Sequence, residues 1–275
     1  PSEDFASAVA WGVSLWQLAT IAGPAAGGLL FSAFGSPGPV YVTCGALGLV
    51  ASALITRLPR GEPGVSRGEP ISREAVFAGL RYVLATPLLL GSITLDLFAV
   101  LLGGATALLP VFARDVLFAG PTALGLLRAA PAVGAAAMAT LLAVRPIRSR
   151  AGVKLFAAVA AFGAATIVFA LSRNLVLSLV ALLVLGAVDM VSVVIRQVIE
   201  QTATPREMRG RVGAVVMVFV GASNELGELE SGLLAAAIGT VPAVLAGGLG
   251  TLLVVAVCAI AFPALRRADT LDAGS

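Results

Sequence analysis

The sequence predicts an all-α membrane protein with eight transmembrane helices, and three observations carry that reading. Of 275 residues, 59% are hydrophobic and 12% are charged, against about 25% charged in an average soluble domain. The apolar residues gather into blocks of about 20, the length a helix needs to cross a ~30 Å hydrocarbon core at ~1.5 Å per residue. The blocks are continuous and rich in Ala, Leu and Val. They show no period-2 alternation, so helices rather than a closed barrel satisfy the backbone in lipid.

Span a covers about 8–31, from Ala8 through Trp11, Trp16 and GPAAGG to Phe31. Span b, about 40–56, ends before Arg57. The polar stretch RLPRGEPGVSRGEPISRE follows, the one segment of linker composition. Six more spans are expected at about 88–111 (c), 121–144 (d), 152–172 (e), 175–199 (f), 212–238 (g) and 241–264 (h). The tail from Arg266 to Ser275 is polar and expected to be disordered.

Basic residues fix the orientation, because loops rich in Arg and Lys stay on the cytoplasmic side. One set of loops holds fourteen: Arg57, Arg60, Arg67, Arg73 and Arg81; Arg145, Arg148, Arg150 and Lys154; Arg206, Arg209 and Arg211; Arg266 and Arg267. The opposite loops hold two, Arg114 and Arg173. The alternation fits eight spans without adjustment. The net charge of +3 and pI of about 9.4 therefore reflect topology, and no nucleic-acid partner is expected. Histidine is absent, which excludes histidine relays and histidine metal sites. Cys44 and Cys258 lie inside apolar blocks and read as small buried hydrophobes. Arginine outnumbers lysine seventeen to one and alanine is abundant, a composition of high-GC bacterial genomes. The expected location is the bacterial inner membrane.

An internal repeat runs at an offset of 204 residues. Residues 1–30 lie over 205–234 with seven identities: Pro1/Pro205, Glu3/Glu207, Ala10/Ala214, Gly23/Gly227, Gly28/Gly232, Leu29/Leu233 and Leu30/Leu234. Duplicated halves are a common transporter device, with the substrate site between them. If a and b repeat as g and h, spans c to f lack earlier counterparts. About four helices are then expected upstream of Pro1, which is itself no initiator Met.

The run ATIAGPAAGGLL (19–30) holds Gly23, Pro24, Gly27 and Gly28. Its glycines permit close helix approach and its proline a bend. Span d offers a small-residue surface, AAPAVGAAA (129–137). This run resembles the fifth-helix Gly-Pro-x-x-Gly-Gly signature of major facilitator antiporters. The d–e loop, RPIRSRAGVK (145–154), is similar to a degraded copy of that superfamily's cytoplasmic loop motif: Arg150, Gly152 and Lys154 match it, while Arg145 and Ser149 replace its Gly and Asp. PREMRGRVGAVVMVFVGASNELGELESG (205–232) resembles the branch that includes the bacterial enterobactin exporter. The resemblance implies a major facilitator fold in which these spans are helices 5–12 of twelve. Residues 1–58 would close the N-terminal six-helix half, 59–86 form a cytoplasmic linker, 87–265 the C-terminal half, and 266–275 a disordered tail.

Charges inside the spans are the candidate site. Asp96 lies in c, Arg128 in d, Asp189 and Arg196 in f, and Glu225, Glu228 and Glu230 in g, while b, e and h carry none. A charge at the bilayer centre costs about 2.5–3.5 kcal/mol on insertion scales, so such residues face protein or water. In the superfamily the third helix of each three-helix unit lies outside, which is where b, e and h would fall. Asn224, Glu225 and Glu228 share one helix turn. Two carboxylates so close in a poorly hydrated place do not both stay ionised, as a proton carrier requires. Glu225, Glu228, Asp96 and Asp189 are the proton-coupling candidates, and Arg128 and Asn224 the substrate-cavity candidates. Arg196 and Glu200 read as a structural i, i+4 pair.

No Gly-x-x-x-x-Gly-Lys-Ser/Thr motif is present. The expected energy source is therefore the proton gradient, and the expected function is export of a siderophore or lipophilic drug by antiport and alternating access. A non-transporting membrane receptor on the same fold is the alternative. No nucleophile–base set is visible, so no enzyme, cofactor or metal is expected. The expected partners are a small-molecule substrate, protons and the lipid bilayer, with the protein monomeric.

Overall fold

A computed structural model describes residues 2–57, 73–147 and 149–269. Described side chains begin in earnest at Leu18 in the first helix and at Phe77 after the linker. The elements are helical throughout the described residues: α1 (Ser2–Phe34), α2 (Gly38–Thr56), α3 (Arg73–Ala85), α4 (Pro87–Leu102), α5 (Leu109–Asp115), α6 (Pro121–Val144), α7 (Ala151–Leu171), α8 (Leu175–Ala203), α9 (Arg209–Ile238), α10 (Thr240–Ala261) and α11 (Pro263–Arg266). Among them six helices, α2 and α6 to α10 (with α9 counted from its preceding 3-10 turn), are long and apolar enough to cross a membrane, and the bent pair α3–α4 raises the number to seven. Span a corresponds to α1, whose described apolar stretch, Leu18–Phe34, is shorter.

Local chemistry sets the boundaries. Pro87, Pro121 and Pro263 open α4, α6 and α11 at the first helical position, where the missing N–H leaves no bond unmade. Asn174 caps α8, its Oδ1 accepting from Val176 N at 2.8 Å and Leu177 N at 3.3 Å, which satisfies two of the unpaired first-turn donors.

Two expectations need correction. The segment 59–86 is not linker throughout. Residues 58–72 lie outside the described residues, but α3 is a 13-residue helix set at 101° to α4. It docks on the end of α8 and the start of α9: Tyr82 Oη donates to Ala203 O at 2.7 Å, and a Cβ on Gly79 would come within 2.7 Å of Arg211 O. Span c is not continuous either. Helix α4 stops at Leu102, and Gly103–Leu108 run irregularly before α5. Gly103 passes so close to Phe162 that a Cβ would lie 2.7 Å from its ring, and one on Gly104 would meet Gly227 O at 3.0 Å. The break is thus a chain threaded between α7 and α9.

The helices pack as α6 against α8 and α1, α7 against α8 and α10, and α4 against α9 and α10. Two apolar cores stack along the bundle. One gathers Leu127, Phe169, Leu182 and Val244 around Phe112, whose ring centroid is 4.3 Å from that of Phe169. The other, at the arginine-rich end, gathers Leu95, Leu155, Ile195, Ile199, Val212 and Leu265. Helix α2 buries nothing, and Cys44 on it is exposed rather than buried; Cys258 is buried as expected. Helix α7 is clamped on both flanks and leaves one exposed apolar stripe, Val153, Ala157, Ala164, Val168 and Leu171. Its helical spacing is that of a single lipid-facing strip.

Candidate functional site

A cavity of about 810 Å³ lies between α1, α4, α6, α8 and α9. Thr20 and Pro24 of α1 line one side, and Gly103, Gly104, Thr106 and Ala107 of the break after α4 line another. Non-helical backbone at membrane depth is tolerated where it faces a cavity rather than lipid. The charge-free helices α2 and α10 contribute nothing to the wall, and α7 contributes Phe162.

Besides Pro24, four of the predicted coupling and cavity residues reach this cavity. Arg128 enters from α6, Asp189 from α8, and Asn224 and Glu228 from α9, where Gly227 stands between them. Asn224, Gly227 and Glu228 are spaced i, i+3, i+4 and so form one face. Glu225 is exposed and lies outside the lining. Glu230 accepts at 3.5 Å from Ser231 Oγ. Among the described residues, Arg128, Asp189 and Glu228 form no ion pair. The cavity therefore presents one guanidinium and two carboxylates to whatever enters.

Asp96 belongs to a second cluster, nearer the arginine-rich end. Its Oδ2 lies 2.5 Å from Arg196 Nη1, with side chains 8% and 17% exposed. Arg196 Nε also donates to Ser192 Oγ at 3.2 Å. The expected Arg196–Glu200 pair is thus replaced by a pair between α4 and α8. Glu200 stays near, lining a small pocket of about 20 Å³ with Asp96 and Arg196. Asp189, two turns along α8, acts electrostatically on both members of the pair. One carboxylate thus pairs with the guanidinium, and two more lie within its electrostatic reach.

The glycine run of α1 meets α6, though not along 129–137. A Cβ on Gly28 would lie 2.7 Å from Pro121 O, and one on Gly125 would lie 2.5 Å from Pro24 O. Gly27 faces Val40 of α2 at 4.0 Å, and Gly23 has open space. The small residues of 129–137 are used instead against α8, where Gly186 packs on the Pro131 carbonyl and Gly134 on that of Leu183. In the d–e loop, Arg150 holds a left-handed backbone (φ 52°, ψ 43°) and Gly152 sits beneath Leu265, while Lys154 is exposed. Arg148 lies outside the described residues.

The irregular segment at Gly103–Gly104 is the part of the site that sequence reasoning missed. Its signal was a Gly-Gly-Ala-Thr run inside an apolar block. Opposite the arginine-rich end, Arg114 Nε is 2.6 Å from Asp115 Oδ1, a hydrogen bond that holds this carboxyl below its usual range. One of the two cations at that end is thus offset by an acid, which sharpens the charge asymmetry of the bundle.

The sequence profile of the transmembrane secretion effector family matches residues 1–275. The chain is 31% identical over 262 residues to the multidrug efflux pump Tap of Mycolicibacterium fortuitum, covering 93% of this chain and 63% of that protein. It is 31% identical over 260 residues to the Tap pumps of Mycobacterium bovis (BCG Pasteur) and Mycobacterium tuberculosis (H37Rv), covering 93% of this chain and 61% of each. The chain therefore spans less than two thirds of the length of these relatives. No solved structure matches it significantly.

Proposed function

The chain belongs to the transmembrane secretion effector family of the major facilitator superfamily, and we propose that it exports a small lipophilic molecule by proton antiport and alternating access. The family and the efflux-pump relatives support a multi-pass membrane transporter rather than an enzyme. The bacterial inner membrane is the proposed location, and a monomer the proposed form.

The observation that carries the reading is the cavity of about 810 Å³ with Asp189, Glu228 and Arg128 on its wall. Between them stand Pro24, Pro131, Ala132, Leu185 and Phe162. Such a wall suits an amphipathic cargo, because an apolar lining with a few convergent polar groups is how proteins hold drug-sized ligands. A cationic group on the cargo would find Asp189 or Glu228, and an anionic one Arg128. The relatives' name, multidrug efflux pump, directs the cargo toward lipophilic drugs rather than the siderophore of the enterobactin-exporter branch.

The charge count supports proton coupling. Around Arg196 the carboxylates outnumber the cation three to one, and charges in a low dielectric are costly unless paired or neutralised. A proton on one of them is the inexpensive solution. We assign cargo-linked proton exchange to Glu228 and Asp189, which share the cavity with the cargo. Asp96 and Arg196 are the pair that a shift of α4 against α8 would open. The α1–α6 seam at Gly28 and Gly125 is the sliding contact.

Substrate-dependent proton flux tests the proposal. The full-length protein, reconstituted in sealed vesicles with a lipophilic cationic dye, is expected to move dye when a pH gradient is imposed and to dissipate that gradient in return. Dye binding without either flux would leave a receptor on this fold.

A further inference from the structure

We propose that the arginine-rich end of the bundle holds a built site for the phosphate headgroup of an anionic phospholipid, assembled by docking residues 265–269 on the start of α7. The inference does not rest on the export reading. Three hydrogen bonds from backbone N–H groups make the dock: Arg150 N donates to the Asp269 side chain at Oδ1 at 2.9 Å, Ala151 N to Asp269 O at 3.3 Å, and Gly152 N to Ala268 O at 2.9 Å. Gly152 is the residue that permits it, since a side chain there would overlap the Leu265 carbonyl. The helix N-terminus is thus already occupied by the chain and is not itself the anion site. The consequence lies in what the dock brings together. Arg145, Arg150 and Lys154 stand on one segment and Arg266 and Arg267 on the other, all five exposed and none ion-paired among the described residues. Asp269 is the one acid among the described residues of these segments, and its Oδ1 is committed to the Arg150 N–H.

The neighbours place this cluster at the edge of the hydrocarbon. Val144 (76% exposed), Val153 (52%) and Ile260 (80%) flank the cations on α6, α7 and α10. Cations that border exposed apolar side chains at a helix end sit at headgroup depth, where each contributes about 1 kcal/mol of attraction to an anionic surface. A soluble anion would meet the same charges but would leave those apolar neighbours without a partner. An anionic lipid satisfies both.

Native mass spectrometry of the full-length protein titrated with phosphatidylglycerol or phosphatidylcholine tests this. Preferential retention of phosphatidylglycerol is expected. Arg266→Gln with Arg267→Gln should weaken it by about fivefold per cation removed, and the same pair of changes at Arg206 and Arg209 should do less. Asp269→Ala and Asp269→Asn carry the same net charge, but the Asn keeps an oxygen for Arg150 N–H. A built site predicts loss of lipid in the Ala variant and near-normal retention in the Asn variant. Equal or increased binding in both would show diffuse attraction alone and overturn the proposal. Displacement of the lipid by inorganic phosphate at matching concentration would overturn it too, in favour of a soluble anion.

Discussion

Removing either charge of the Asp96–Arg196 pair strands the other in a nearly closed place between α4 and α8. Breaking a buried ion pair from one side costs about 3–5 kcal/mol, whereas replacing both charges with apolar groups is often neutral. Asp96→Asn and Arg196→Met are each expected to lower the thermal stability of the purified protein, and the double variant to recover most of the loss. Additive losses in the double-mutant cycle would mean the pair is not coupled. Both residues were legible as charges inside spans, but their pairing was not. Sequence spacing offers Arg196 only its i+4 neighbour Glu200, while the true partner stands a hundred positions earlier in the chain. The same limit applies on α9. Sequence places Glu225 and Glu228 within one turn, but only the packing of α9 against the break after α4 decides that Glu228 lines the cavity and Glu225 does not.

Among elements, the α1–α6 seam makes the sharpest claim. Gly28 and Gly125 oppose each other across backbone, so an added side chain has no flexible neighbour to displace. Overpacking of this kind costs about 1–3 kcal/mol. Gly28→Leu or Gly125→Leu should impair transport or make vesicles leaky, while Gly23→Ala, which meets open space, should behave as wild type. Equal transport in all three would leave the seam without a role. The glycine run lies on the helix that meets α6, yet which glycine touches α6 depends on helix rotation, which a motif does not state. Gly28 and its repeat counterpart Gly232 illustrate this: the first is in tight contact and the second has nothing within 4 Å. The break after α4 was hidden for a related reason. An apolar run scored as one span whether or not its backbone stays helical, and here Gly103 and Gly104 yield to the close approach of Phe162 and Gly227.

At the scale of the whole molecule, hydropathy carried the helical architecture. Six of the eight expected spans coincide with helices of crossing length among the described residues, because lipid leaves little choice of backbone. Their mutual arrangement was less legible, since α7 proved clamped between α8 and α10 instead of lying wholly outside. Orientation is open to a direct check. Single cysteines in the Arg145–Lys154 loop or at Arg206 should react with a membrane-impermeant maleimide only from the cytoplasmic side. Reaction from outside intact cells would invert the proposed topology. The central claim is that cavity carboxylates tie export to protons, and dye export in proteoliposomes under an imposed pH gradient tests it most directly. Glu228→Gln and Asp189→Asn should each still bind dye but lose at least tenfold in gradient-driven export, about 1.4 kcal/mol of coupling, while Glu225→Gln keeps the wild-type dependence on pH. Unchanged gradient dependence in Glu228→Gln and Asp189→Asn would contradict it.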